Sequence, residues 1–189
     1  MSTHEHDEAL AISQHRVDRT GWPPGTWDKE PDRLEWEHAG FPCLIIRNDY
    51  FGHLCGYVAL PPEHALHGVD YPEIEVGVHG GLTYAGPCRG AVCHIPKPGQ
   101  PADVWWIGFD CLHCFDLAPG MQKTMIEVRE KAALTMSDEM KALLEKMPDD
   151  DEYSMEIFQD VYRSVPYVQQ ETNDLAEQLA RLGSEIRRT

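Results

Sequence analysis

The run Asp110-Cys111-Leu112-His113-Cys114-Phe115-Asp116 places three potential ligands, Asp110, His113 and Asp116, at intervals of three. Imidazole with carboxylate is the donor set of catalytic zinc and of other divalent sites that keep one position open for water. Water bound there ionises near neutral pH and becomes a nucleophile. Without a metal, the same groups form a His–carboxylate general base. The plainest alternative is local: Asp110 caps a turn and His113 bonds to its neighbours.

Upstream, Ile74-Glu75-Val76-Gly77-Val78-His79 sorts by parity. Read as a strand, it sends Ile74, Val76 and Val78 to one face, and Glu73, Glu75, Gly77 and His79 to the other. The second set is either a solvated sheet surface or a polar floor where Gly77 leaves room for a ligand. Trp105-Trp106-Ile107-Gly108-Phe109-Asp110 repeats the pattern, with Trp106, Gly108 and Asp110 on one face. If the two strands are neighbours, His79 and Asp110 meet at the strand ends. The expected metal ligands are then His79, Asp110, His113 and Asp116, with Glu75 or Glu171 as general base. A ligand would lie against Gly80, Gly81, Thr83, Tyr84 and Trp106.

Thiols offer a competing arrangement. Cys88-x4-Cys93 and Cys111-x2-Cys114 stand 17 residues apart, near a four-cysteine zinc spacing, although the first pair is loose and Cys111 follows an apolar strand. Cys111 as a nucleophile would need an electropositive setting that this acidic chain scarcely provides. Histidines 53, 64, 67 and 94 fall in expected loops and read as polar surface. Glu171 lies on or beside the apolar stripe of the last helix, one turn after Tyr167, where a carboxylate must be paired or reach solvent.

The elements that position these groups are β-type up to residue 110 and helical afterwards. Residues 43–47, 55–60, 74–79 and 104–110 read as strands separated by Gly and Pro clusters. Gly80-Gly81 reads as a tight turn. Residues 122–147 suit two helices, with Ser137 capping the second. In the last helix Ser164 is the expected cap, Val168, Leu175, Leu179 and Leu182 the apolar stripe, and Gly183 the stop. This order implies an α+β domain, a mostly antiparallel sheet with C-terminal helices on one face. Residues 1–38 are expected to form an irregular arm pinned by Trp22 and Trp27, and 39–189 a single domain, β-rich over 39–120 and helical over 121–189.

The 189 residues include 16 Lys and Arg against 32 Asp and Glu, a net charge of −16. That repels a phosphate backbone and disfavours direct nucleic-acid binding. No apolar run approaches the ~20 residues of a membrane helix, and residues 1–10 lack a secretory signal pattern. A cytoplasmic location is expected, with the six cysteines mostly reduced.

The motifs Val78-His79-Gly80-Gly81-Leu82-Thr83-Tyr84 and Trp105-Trp106-Ile107-Gly108-Phe109-Asp110-Cys111-x-His113-x-x-Asp116, with Cys55-Gly56-Tyr57-Val58, resemble a family of small uncharacterised proteins of bacterial and bacteriophage genomes. The likeness spans about residues 52–120, with an echo at Tyr167-Val168-x-x-Glu171. It implies a context rather than an activity, with host cytoplasm as the location for a phage protein. It singles out His79, Asp110, His113 and Asp116.

Three functions follow as expectations. The first is a metal-assisted hydrolase or related enzyme, with a divalent metal such as zinc as cofactor. The second is a phage-type accessory, anti-defence protein that binds a signalling nucleotide or a host protein without turnover. The third is an interaction module stabilised by zinc on Cys88, Cys93, Cys111 and Cys114.

Overall fold

A computed structural model describes residues 15–137, 139–140 and 160–186. Five strands form one antiparallel sheet: β1 (Arg33–His38), β2 (Phe41–Arg47), β3 (Leu54–Leu60), β4 (Tyr84–Pro87) and β5 (Trp105–Asp110). Their order is β1-β2-β3-β5-β4. Among the described residues two long helices follow, α1 (Pro119–Thr135) and α2 (Val165–Ile186), and α2 packs against the sheet. The fold is α+β, as the succession of strand and helix patterns requires.

The apolar stripe of α2 decides which sheet face becomes the main core. Val168, Leu175, Ala176 and Leu179 have no exposed surface and meet Ile45, Leu54, Val58, Ile107 and Phe109. Burying each large aliphatic side chain contributes about 1.5–3 kcal/mol. Alternate residues of the same strands, Leu44, Ile46, Tyr57, Ala59 and Trp106, form a second cluster on the opposite face. Both faces are covered, so β3 is buried along its whole length and β2 at every position but Pro42.

Three expectations are corrected. Residues 33–38 are not part of an irregular arm; they form edge strand β1, paired with β2 from Arg33↔Ile46 to His38↔Phe41. Residues 74–79 are not a strand. Their parity holds, since Ile74 is buried and Val76 and Val78 pack on the main core, but among the described residues no strand pairs with them. The side chain of Gln178 in α2 replaces that partner, accepting from Gly77 N–H at 2.8 Å and donating to Gly77 C=O at 2.8 Å. Gly183 does not stop α2, which runs on to Ile186. It allows a close approach instead, because a Cβ there would fall 2.3 Å from Nε2 of His64. Ser164 stands at the cap position, its C=O accepting from Val168 N–H at 3.0 Å, and the first amide of α2, Val165 N–H, bonds to the Glu30 carboxylate at 2.9 Å.

Ser137 does act as a cap, its Oγ accepting from Met140 N–H at 3.3 Å. The remainder of the second helix expected over 122–147 lies outside the described residues.

Arg47 ties the arm to the start of α2. Its side chain is fully buried and bonds to Glu30 (3.0 Å), Asp32 (2.9 Å), the Gly52 carbonyl (2.9 Å) and the Tyr162 hydroxyl (2.8 Å). Tyr162 also donates to Glu30, and its ring meets buried Trp27 edge-on at 5.0 Å. A buried cation with several such partners is costly to disturb, so residues 160–165 are held firmly beside the sheet.

Candidate metal centre

The chain leaves β5 at Asp110 and turns back within six residues. Asp110 Oδ1 accepts from Leu112 N–H at 3.0 Å, a local turn of the kind aspartate favours. The next turn is closed from both ends: Asp116 N–H donates to His113 C=O at 3.0 Å, and Asp116 Oδ2 accepts from His113 N–H at 2.9 Å. Segment 160–163 then docks alongside through an isolated parallel bridge, Asp116↔Val161. That register delivers Arg163, whose Nε donates to Asp116 Oδ1 at 2.7 Å.

His79 enters from the other side. Glu171 of α2 accepts the His79 backbone N–H at 2.9 Å, which fixes the segment where it turns at Gly80. The imidazole lies between two partners, with Nδ1 3.0 Å from the Tyr167 hydroxyl and Nε2 2.7 Å from Asp116 Oδ2. His113 meets it edge-on at 5.3 Å and places Nδ1 3.6 Å from the same Oδ2. One donor atom each from His79, His113 and Asp116 therefore lies within 4.8 Å of the others.

Gly80 makes this closeness possible. It adopts a left-handed φ of +66°, and a Cβ there would stand 2.0 Å from Cε1 of His113. Only glycine satisfies both demands.

The electrostatics favour an ionised Asp116. Burial pushes its carboxyl upward, but hydrogen bonds from Arg163, His79 and the His113 amide outweigh that and hold it below the usual carboxylate value. Arg163 is shifted upward chiefly by its bond to Asp116. Burial, followed by the charge of Glu171, raises the Tyr167 phenol, so this hydroxyl stays protonated at neutral pH.

The structure thus brings together His79, His113, Asp116 and Glu171 from the expected set. Asp110 is not part of the convergent donor group; its carboxylate is occupied in its own turn. Glu75 is exposed, and among the described residues no hydrogen bond or ion pair joins it to the cluster. Gly80 and Gly81 border the site. Thr83 N–H instead bonds to Gly108 C=O at 2.9 Å, extending the sheet. Tyr84 and Trp106 belong to the cluster on the face away from α2. Strand parity sends Trp106 there, so it is the indole under the second core and not a ligand wall.

Four-cysteine zinc binding is contradicted. Cys88 and Cys93 are joined in a disulfide, and Cys88 packs on the second cluster while Cys111 is buried in the main one. Cys114 is exposed. Burial raises the Cys111 thiol far above its ordinary value, which keeps it a protonated, unreactive group.

Sequence reasoning missed Arg163 and Arg47, because single arginines in polar stretches carry no pattern. It also misplaced three histidines: His53, His64 and His94 are buried rather than surface groups. His53 lies one residue before Leu54, whose carbonyl accepts from Cys111 N–H at 3.0 Å. That places it across from the ligand-bearing turn.

No protein-family model, curated protein or solved structure matches this chain. Among the described residues, no helix is long and apolar enough to cross a membrane.

Proposed function

We propose that this chain is a metal-assisted hydrolase of a small molecule, holding a divalent ion of the zinc class on His79 Nε2, His113 Nδ1 and Asp116 Oδ2. The observation that carries the reading is the convergence of these three donors. Donors on a tetrahedral zinc stand about 3.3–3.4 Å apart. The His113–Asp116 separation of 3.6 Å fits that spacing, and His79 at 2.7 Å need retreat only about 0.6 Å.

Two further features support it. Nδ1 of His113 is buried and, among the described residues, has no hydrogen-bond partner, a costly state that a metal would relieve. The outer partners also have the right chemistry. Tyr167 can accept Nδ1–H of His79 and so aim the Nε2 lone pair at the ion, while Arg163 fixes the second oxygen of Asp116.

A divalent ion held by His79, His113 and Asp116 would make a water at its open position more acidic and so a better nucleophile. Glu171 positions His79 through the backbone, and its Oε1, which makes no hydrogen bond among the described residues, would accept the proton of such a water. A metal-free second reading follows from the opposite tautomer. Tyr167 then donates to Nδ1 and His79 donates Nε2–H to Asp116, and the 2.7 Å contact is a charge-assisted hydrogen bond within a general-base relay.

Elemental analysis of purified protein, repeated for His79→Ala and His113→Ala, separates the two. About one equivalent of metal, lost in both variants, supports the centre. Folded protein that takes up no metal after incubation with zinc overturns it.

A further inference from the structure

Resting on that metal reading, we propose that Arg163 binds a phosphoryl group of the substrate, so that one phosphate oxygen lies on the metal and another on the guanidinium. Arg163 spends only Nε on Asp116. Its two Nη groups make no hydrogen bond among the described residues, and its side chain is 25% exposed while Asp116 behind it is 1% exposed. The guanidinium is kept from swinging away by the Tyr167 ring, whose centroid lies 5.2 Å from Cζ. A held, outward-facing fork of N–H groups suits the oxygens of a phosphate.

Charge favours the same class of ligand. The molecule as a whole carries −16 and repels anions, so an anionic substrate needs a local positive spot. A bound divalent ion and Arg163 together outweigh Asp116 and Glu171. Gly81, with open space where a Cβ would stand, leaves room for the ester group. Hydrolysis balances without a redox partner: the water oxygen bonds to phosphorus, the ester P–O bond breaks, and the two water protons end on the departing alcohol and on phosphate.

The test uses full-length protein loaded with zinc, with inorganic phosphate as the probe in calorimetry and acetate as the comparison anion. Wild type should bind phosphate more tightly than acetate. Arg163→Lys, which keeps a cation for Asp116 but lacks the fork, should retain metal and bind phosphate about tenfold more weakly. Arg163→Gln should lose phosphate binding further. Normal metal content without phosphate binding, equal phosphate affinity in wild type and both variants, or a preference for acetate overturns this inference alone. Failure of wild type to hold metal overturns the metal reading and this inference with it.

Discussion

Nε2 of His79 lies 2.7 Å from Oδ2 of Asp116, although 37 residues separate them in sequence. Neither element alone produces the contact. The His79 segment is held by Glu171 and Gln178 of α2, and Asp116 is held by its own turn and by Arg163. The site therefore exists only where α2, segment 160–163 and the turn after β5 are all docked.

Asp116 should matter for stability as well as for metal. Asp116→Asn leaves Arg163 and the His113 amide facing a neutral group that cannot accept from all its donors. A loss of about 2–4 kcal/mol is expected in urea denaturation, together with loss of metal. A change below about 0.5 kcal/mol would show that the network is not tightly made.

Gly80→Ala should act on His113. The added methyl clashes with the ring, and the ring, being the mobile partner, should swing out while the left-handed backbone costs about 1 kcal/mol. Metal affinity should drop at least tenfold. Gly81→Ala, also at positive φ but in open space, should cost similar stability and keep the metal. Identical metal binding in both variants would contradict the close packing at Gly80.

Burial is the largest influence on His53 and on His94, and it holds both below the ordinary imidazole value. As pH falls, the unfolded chain takes up these protons before the folded one. The stability they contribute is full above about pH 6.5 and is lost as pH falls from there through the lower folded values. Urea midpoints taken in chelator should therefore be lower at pH 5.5 than at pH 7.5, and His53→Gln with His94→Gln should flatten the difference. A midpoint that rises on acidification would be incompatible with neutral buried imidazoles.

Reduction of the Cys88–Cys93 disulfide should cost about 2 kcal/mol, the entropy of so short a loop, and should leave metal content unchanged. Metal lost on Cys88→Ser would return the thiols to the site.

The sheet was legible because β2, β3 and β5 are short apolar runs between turn residues, and α2 because its stripe repeats at helical spacing. Parity sorted residues 74–79 and the β5 side chains into the right sets, yet it put Trp106 on the ligand side when that face is a second core, and it could not reveal that one segment pairs with a glutamine side chain instead of a strand. His113, Asp116 and Glu171 were visible as residue types at suggestive spacings. The substitution of Asp116 for Asp110 beside His79 was not, because it depends on how the chain turns after β5. Arg47, Arg163 and the buried histidines carry no periodic signal; tertiary packing alone gives them their places.

Zinc titration of metal-free protein by calorimetry, at neutral pH, tests the centre most directly. The account predicts one zinc per chain with proton release, abolished in His79→Ala and His113→Ala while Cys114→Ser and Glu75→Gln bind as wild type does. Folded protein that gives no binding heat and shows no proton release, or binding that survives loss of both histidines, would contradict it.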